Sequence, residues 1–224
     1  MPLPRTSASL AAVVLAGTLG SLTGCQALTE ASAAPPHGDG TAGKPITTPT
    51  APARVLVHTG RGWTAAGIQG PVPAPGSCRY RHTPDGEVLP DLDCTPGAVD
   101  QAVTQGNIEQ TICRPGGYSD SVRPPEAMTE ALKYKMLAAY GVPASQVDKY
   151  EPDHAVSESL GGSSSTYNLW PEPNADAGRY SRSQYVANDK DELEHRSWEA
   201  VCDHQAQLDQ MQRTMATNWT KLTG

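Results

Sequence analysis

The chain has 224 residues and a formal net charge of −7, from 24 Asp and Glu against 17 Lys and Arg. This length accommodates one domain of ordinary size plus an extension. The acidic balance excludes a protein that relies on a broadly basic surface to attract nucleic acid.

The N-terminus has the features of an export signal. Arg5 precedes an apolar run over residues 8–22, which is too short for a mature transmembrane helix but suits a signal peptide. The run ends in Leu-Thr-Gly-Cys, which resembles the lipobox of bacterial lipoproteins. We therefore expect residues 1–24 to be removed and a lipidated Cys25 to anchor an extracellular protein to the cell membrane. The alternative is an ordinary secretory signal that is cleaved nearby.

Residues 25–75 are dominated by Ala, Thr, Gly and Pro. Such a segment has too few large apolar side chains to offset the entropy lost on ordering, so we expect a flexible tether. Leu56 and Trp63 are exceptions that favour a short strand at the edge of the domain. The remaining residues, 76–224, are predicted to form one domain.

If Cys25 carries lipid, four cysteines remain: Cys78, Cys94, Cys113 and Cys202. An even number in an exported domain indicates disulfides, for which three connectivities exist. We favour Cys78–Cys94, which closes a local turn-rich loop, and Cys113–Cys202, which joins an early helix to a late one. A zinc site is the weaker alternative, because the chain lacks a Cys-x-x-Cys pair.

Helical patterns dominate the rest of the domain. Thr104 is predicted to begin a short helix, and Pro124-Pro125 to begin a longer one that ends at Gly141. Apolar residues recur along the longer helix at Met128, Leu132, Met136 and Tyr140. Two further helices are predicted over residues 189–202 and 203–219. We interpret their apolar stripes as core-facing and assign them no ligands.

The residues that carry chemistry lie in the segment 150–172, which reads YEPDHAVSESLGGSSSTYNLWPE. Histidine is suited to deprotonate water because its reference pKa of about 6.5 lies near working pH. A carboxylate suits a hard divalent ion such as Mg²⁺. Adjacent residues on a strand point to opposite faces, so Asp153 and His154 share a site only where the strand ends or bulges. The Gly161-Gly162 loop that follows indicates such an end.

This segment resembles the ββα-metal nucleases, also called HNH or His-Me finger nucleases. The resemblance implies that His154 is the general base, that Asp153 binds the metal and that Asn168 clamps the loop. A wider resemblance to small exported bacterial proteins with an HNH-like domain rests on further blocks of sequence: CTPGAVDQAVTQGNIEQTIC, SVRPP, NLWPEP, KDELE and the closing NW. The implied fold is α+β, with a small ββα-metal hairpin-plus-helix core surrounded by several α-helices and braced by disulfides.

The family completes its metal site from the helix after the second strand, and here the chain departs from the family pattern. It has no clear His-x-x-x-His or Asn-x-x-x-Lys element. We choose Asp191 as the helix-borne ligand, with Glu194 and Asn188 as alternatives. Lys190 is expected to contact the scissile phosphate, although Lys190 and Glu194 also have the spacing of a solvated helix pair.

The function predicted from these residues is a metal-dependent, non-specific endonuclease that hydrolyses DNA or, second, RNA. Mg²⁺ is the expected cofactor, with Mn²⁺ as the alternative and no small-molecule cofactor. We expect a monomer. Because the net charge is negative, we expect it to bind nucleic acid weakly and without sequence preference. The alternative is a catalytically silent, lipid-anchored envelope or binding protein that keeps the same scaffold.

Overall fold

A computed structural model describes residues 56–174 and 188–222 of the chain. The predicted signal peptide, Cys25 and the first part of the tether lie outside these residues. Within them the chain mixes short strands and helices, so the predicted mixture of α and β structure is confirmed.

The strands pair two by two into small sheets. One pair is parallel, β1 (Val57–Thr59) with β6 (Ala98–Asp100), and three are antiparallel: β2 (Trp63–Thr64) with β3 (Gly67–Ile68), β4 (Arg81–His82) with β5 (Val88–Leu89), and β7 (Tyr150–His154) with β8 (Leu169–Pro173). The β7–β8 pair contains the segment that carries the predicted chemistry.

The helices of the described residues are α1 (Ser119–Val122), α2 (Glu126–Ala139), α3 (Asp189–Cys202) and α4 (Leu208–Asn218), with 3₁₀ helices at Gln105–Gln110, Ala144–Lys149, Glu158–Leu160 and Trp219–Lys221. α2 begins after Pro125 and ends before Gly141, whose φ of +70° stops the helix as predicted. α4 begins later than predicted, because His204 adopts a φ of +59° and breaks the helical path. None of the helices in these residues is both long enough and apolar enough to cross a bilayer.

Two disulfides brace the domain with the favoured connectivity. Cys78 is bonded to Cys94 with a Cα–Cα distance of 5.9 Å, and Cys113 to Cys202 with 5.5 Å. Both distances lie within the usual range for a disulfide. The predicted pairing is therefore confirmed.

Buried apolar residues from distant parts of the chain form the core around β7 and β8. Val156 and Leu160, in the loop between these strands, pack in one cluster with Met215 and Trp219 near the C-terminus. On β8, Trp170 belongs to a second cluster, which also contains Cys78 and Tyr140. The end of β7 is thus supported by packing on both sides.

The segment from Leu56 onward, which composition assigns to the tether, packs against the domain. Leu56 is buried in the core, and Trp63 Nε1 donates a hydrogen bond to the carbonyl of Val122 at 2.6 Å. Gly62 has a φ of +89°, and a Cβ on it would lie 2.3 Å from the backbone nitrogen of Ser165. The N-terminal segment therefore closes over the serine-rich loop that follows β7.

Candidate functional site

The candidate site lies where β7 ends. In the β7–β8 register Asp153 is opposite Trp170 and His154 is opposite Leu169. The chain then leaves the strand for a loop that contains a 3₁₀ helix and Gly161, whose φ of +77° is left-handed. The Asp-His pair is therefore at a strand end, where adjacent side chains are not confined to strict alternation.

Asn168 is fully buried and holds the two sides of this loop together. Its Oδ1 accepts hydrogen bonds from the backbone N–H groups of Val156 at 2.9 Å and Ala98 at 3.2 Å. Its Nδ2 donates to the carbonyls of Val156 and Ser163, each at 2.9 Å. The amide thus makes four hydrogen bonds with its two lone pairs and two protons. These are the contacts expected of the clamp.

The hydrogen bonds around His154 define its tautomer. Ser164 Oγ donates its proton to Glu158 Oε1 at 3.0 Å and lies 2.9 Å from His154 Nε2. A hydroxyl has one proton, so Ser164 accepts from His154, and Nε2 carries the hydrogen in the neutral ring. Nδ1 is then the unprotonated nitrogen. It makes no hydrogen bond to any residue in the described ranges, and 15% of the side chain remains exposed.

Burial lowers the pKa of His154 below 6.5, and the negative charges of Glu158 and Asp153 offset this effect only in part. The imidazole is therefore neutral at neutral pH, with Nδ1 available to accept a proton. This is the protonation state that a general base requires.

Arg123 and Glu158 extend this network, and neither was among the predicted site residues. Glu158 is only 4% exposed, and its Oε2 pairs with Arg123 Nε at 2.9 Å. The Arg123 side chain is 62% exposed, and its two terminal nitrogens make no hydrogen bonds within the described residues. The only sequence signal for Arg123 is its place in the SVRPP block.

Asp153 forms a different set of contacts from those of His154. Its Oδ2 accepts hydrogen bonds from Trp170 Nε1 at 3.0 Å and from Lys190 Nζ at 2.7 Å. Burial is the largest effect and acts to raise the pKa of Asp153, but the charge of Lys190 and the hydrogen bonds with Lys190 and Glu172 together lower the net pKa. Asp153 is thus an ionised carboxylate paired with an ammonium. It shares no hydrogen-bonding partner with the His154 side chain.

Lys190 is buried rather than available to a substrate, which corrects its predicted role in phosphate binding. Its side chain is 2% exposed, and its ammonium contacts Asp153, Glu194 and the backbone carbonyl of His154. Burial acts to lower the pKa of Lys190, but the charges of Asp153 and Glu194 raise it well above its usual value. Lys190 is therefore protonated at neutral pH.

Asp191, predicted as a metal ligand, forms part of the N-terminal cap of α3. Its Oδ2 accepts the backbone N–H of Asn188 at 2.7 Å, and Asn188 Oδ1 accepts the N–H groups of Lys190 and Asp191 in return. Asn188 Nδ2 also donates to Glu151 Oε1 at 2.9 Å. This reciprocal cap fixes the first turn of α3 against β7 and sets the position of Lys190.

Three further carboxyl groups surround the Asp153–Lys190 pair. Burial raises the pKa of Glu151 to about 7, and burial raises that of Glu194 to about 7 against the attraction of Lys190. Burial and the charge of Asp153 raise the pKa of Glu172 well above its usual range. Like charges this close to one another favour retained protons. The pocket thus limits its negative charge at neutral pH.

The residues at this position do not fit a divalent ion. A metal bound to Asp153 would occupy the space of the Lys190 ammonium, and Asp191 is engaged in its cap. Within residues 56–174 and 188–222, no three His, Cys, Asp or Glu side chains are grouped so as to hold a metal. Among the residues that the structure describes, the Mg²⁺ site expected from the resemblance therefore has no ligand set.

Comparisons with protein-family models, with curated proteins and with solved structures returned no match to this chain.

Proposed function

We propose that this domain hydrolyses phosphodiester bonds of nucleic acid, DNA in preference to RNA, with His154 as general base. The observation that carries the proposal is the state of the imidazole, which is anchored through Nε2 and has a free lone pair on Nδ1. The order of β7, β8 and α3, with the Asp-His pair at the end of β7 and Asn168 directly before β8, supports the resemblance to ββα-metal nucleases.

In the proposed reaction, Nδ1 takes a proton from a water molecule and the hydroxide attacks phosphorus. A new P–O bond forms, the bond to the leaving oxygen breaks, and solvent supplies the proton to that oxygen. The imidazolium formed at His154 is stabilised through the Ser164 hydroxyl and the Glu158 carboxylate, whose Oε1 lies 3.6 Å from Nε2. Burial of the carboxylate strengthens this effect, because the local dielectric constant is low.

Arg123 is the proposed phosphate-binding residue. Its guanidinium is fixed at Nε by Glu158, while its terminal N–H groups face solvent on the same network as His154. Guanidinium suits a phosphate because its N–H groups form a planar fork. Arg123 therefore takes the role that the sequence assigned to Lys190.

The charge of the chain limits the affinity of such an enzyme. With a net charge of −7, the protein repels a polyanion at long range. Binding then depends on local contacts such as that of Arg123, which touch phosphate and not bases. We expect weak, salt-sensitive cleavage without sequence preference, on a lipid-anchored protein outside the cell.

A catalytically silent scaffold is the second candidate function, and one observation favours it. Lys190 occupies Oδ2 of Asp153, the carboxylate that the resemblance to ββα-metal nucleases assigns to the metal. On this interpretation the network around His154 is only structural.

Nicking of supercoiled plasmid separates the two functions. His154→Gln keeps an N–H donor near the position of Nε2, and therefore the bond to Ser164, but removes the Nδ1 lone pair. His82→Ala is the control, since His82 is exposed on β4. We expect the wild type and His82→Ala to nick DNA and His154→Gln to be at least about 100-fold slower, the usual contribution of a general base.

Melting curves of all three proteins should coincide within a few degrees. Equal nicking by the wild type and His154→Gln contradicts the assignment of the base. No nicking by folded wild type on DNA or RNA, with or without added Mg²⁺, favours the silent scaffold.

A further inference from the structure

The Lys190 ammonium is enclosed by three oxygens, two from the end of β7 and one from α3. Asp153 Oδ2 lies 2.7 Å from Nζ, the carbonyl oxygen of His154 lies 3.0 Å away, and Glu194 Oε1 completes the set. An ammonium has three protons, so each is used in one contact. None is left for a substrate.

These oxygens come from elements that pack independently of the Lys190 side chain. Asp153 and the His154 carbonyl belong to the end of β7, which is paired with β8. Glu194 lies on α3, whose first turn is fixed by the reciprocal Asn188 and Asp191 cap. The pocket therefore holds a cation position that is defined by the backbone and by two carboxylates.

The three oxygens around Lys190 Nζ are of the kinds that bind metal ions. Carboxylate and carbonyl oxygens are the groups that hard cations such as Mg²⁺, Mn²⁺ and Ca²⁺ bind in proteins. Two carboxylates buried together are costly unless a cation neutralises them. In this chain the neutralising cation is the ammonium group of the Lys190 side chain.

We infer that the Lys190 side chain is a built-in cation that replaces a divalent metal at the end of β7. The inference rests on the proposed function in one respect: if the domain hydrolyses nucleic acid, the reaction should not require added metal. It also makes a structural statement that needs no activity. Removal of the ammonium should leave a vacant oxygen-lined site that a divalent ion can enter.

The test is Mn²⁺ binding, measured by the loss of the free-ion EPR signal, together with thermal melting in EDTA and in millimolar MnCl₂. The variants are Lys190→Ala, Asp153→Asn, the double variant that combines these two changes, and Lys135→Ala as an exposed-lysine control on α2. All are measured as the complete chain.

We expect wild type and Lys135→Ala to bind no Mn²⁺ and to melt at the same temperature in both buffers. Lys190→Ala should melt lower in EDTA and rise by about 5 °C or more in Mn²⁺ at a hundredfold excess over its Kd. The double variant should lose most of this rise, since it lacks one carboxylate.

Three results overturn the inference. One is Mn²⁺ binding by the wild type at this site, lost in Asp153→Asn, and it can be scored even if no Lys190 variant folds. Another is a folded Lys190→Ala that is indifferent to Mn²⁺. The third is an unfolded Lys190→Ala that Mn²⁺ does not refold.

The Mn²⁺-binding test can fail or succeed independently of the test for nucleic-acid hydrolysis. A protein that gives the expected Mn²⁺ pattern but never cleaves nucleic acid refutes only the hydrolase proposal. A protein that cleaves nucleic acid but binds Mn²⁺ through Asp153 in its wild-type form refutes only the built-in cation.

Discussion

Replacement of Asn168 by aspartate tests whether the buried amide holds the catalytic loop. The change is nearly isosteric, but it puts an oxygen in place of Nδ2, which donates to the carbonyls of Val156 and Ser163 at 2.9 Å each. An ionised carboxylate makes neither bond and faces two carbonyl dipoles. A protonated carboxyl group restores one of the two bonds.

The size of the effect follows from those contacts. Each buried carbonyl left without a partner costs about 1–3 kcal/mol, so the ionised form loses about 2–6 kcal/mol before the charge itself is counted. Burial raises the pKa of the new carboxyl group above its unfolded value of about 3.9. The folded state then holds a proton that the unfolded state releases, so stability is present at low pH and is lost as pH rises. The slope reaches about 1.4 kcal/mol per pH unit once the unfolded carboxyl group is ionised, which amounts to about 2.4 kcal/mol between pH 4 and pH 6 while the folded carboxyl group stays protonated.

Urea denaturation of wild type and Asn168→Asp at several pH values from 4 to 7 measures this difference. Gln110→Glu is the control, since Gln110 is exposed. The same amide-to-acid change there should give a difference in unfolding free energy from wild type that does not vary with pH. A constant difference between Asn168→Asp and wild type across this range refutes the reasoning, because it shows that the amide protons are not needed where the structure has them.

Three further predictions concern the disulfides, the N-terminal segment and the base. Replacing both cysteines of one disulfide by alanine should lower the free energy of unfolding by about 4.6 kcal/mol for Cys113–Cys202 and by about 3.1 kcal/mol for Cys78–Cys94. In the chain-entropy model the loss grows with the sequence separation, which is 89 for the first pair and 16 for the second. Equal losses for the two pairs in urea titrations contradict this model. Gly62→Ala should be about 1–3 kcal/mol less stable than Gly86→Ala. Both glycines have a positive φ, but of the two only Gly62 lacks room for a Cβ. Similar melting temperatures of the two variants contradict the close packing of Gly62 against Ser165. Because burial lowers the pKa of His154, the rate of hydrolysis should fall as the ring is protonated, with a midpoint below pH 6.5; a midpoint at or above pH 6.5 contradicts this.

The local part of the site was predictable from sequence because it depends on neighbouring residues. The Asp-His pair, the glycine turn and Asn168 lie within one short segment, so strand alternation and turn chemistry constrain them together. The same holds for α2, which its proline start, apolar repeat and Gly141 define. The even number of cysteines indicated two disulfides, and the structure selects the favoured one of the three possible pairings.

The N-terminal boundary and the environment of Lys190 could not be read in this way. β1 pairs with β6, which lies far along the chain, and composition carries no information about such a partner. Lys190 and Glu194 have the spacing of an exposed ion pair, and only the packing of α3 against β7 buries them. The same contact turns Asp191 into a cap.

The sequence by itself therefore determined which chemical groups are available at the end of β7, because a few contiguous residues and their backbone preferences supply them. Tertiary structure alone decided which cation contacts Asp153 and which nitrogen of the imidazole can accept a proton. Those outcomes depend on how α3, the serine-rich loop and the N-terminal segment pack around one strand end, and packing between distant segments is set by shape and burial that no local pattern encodes.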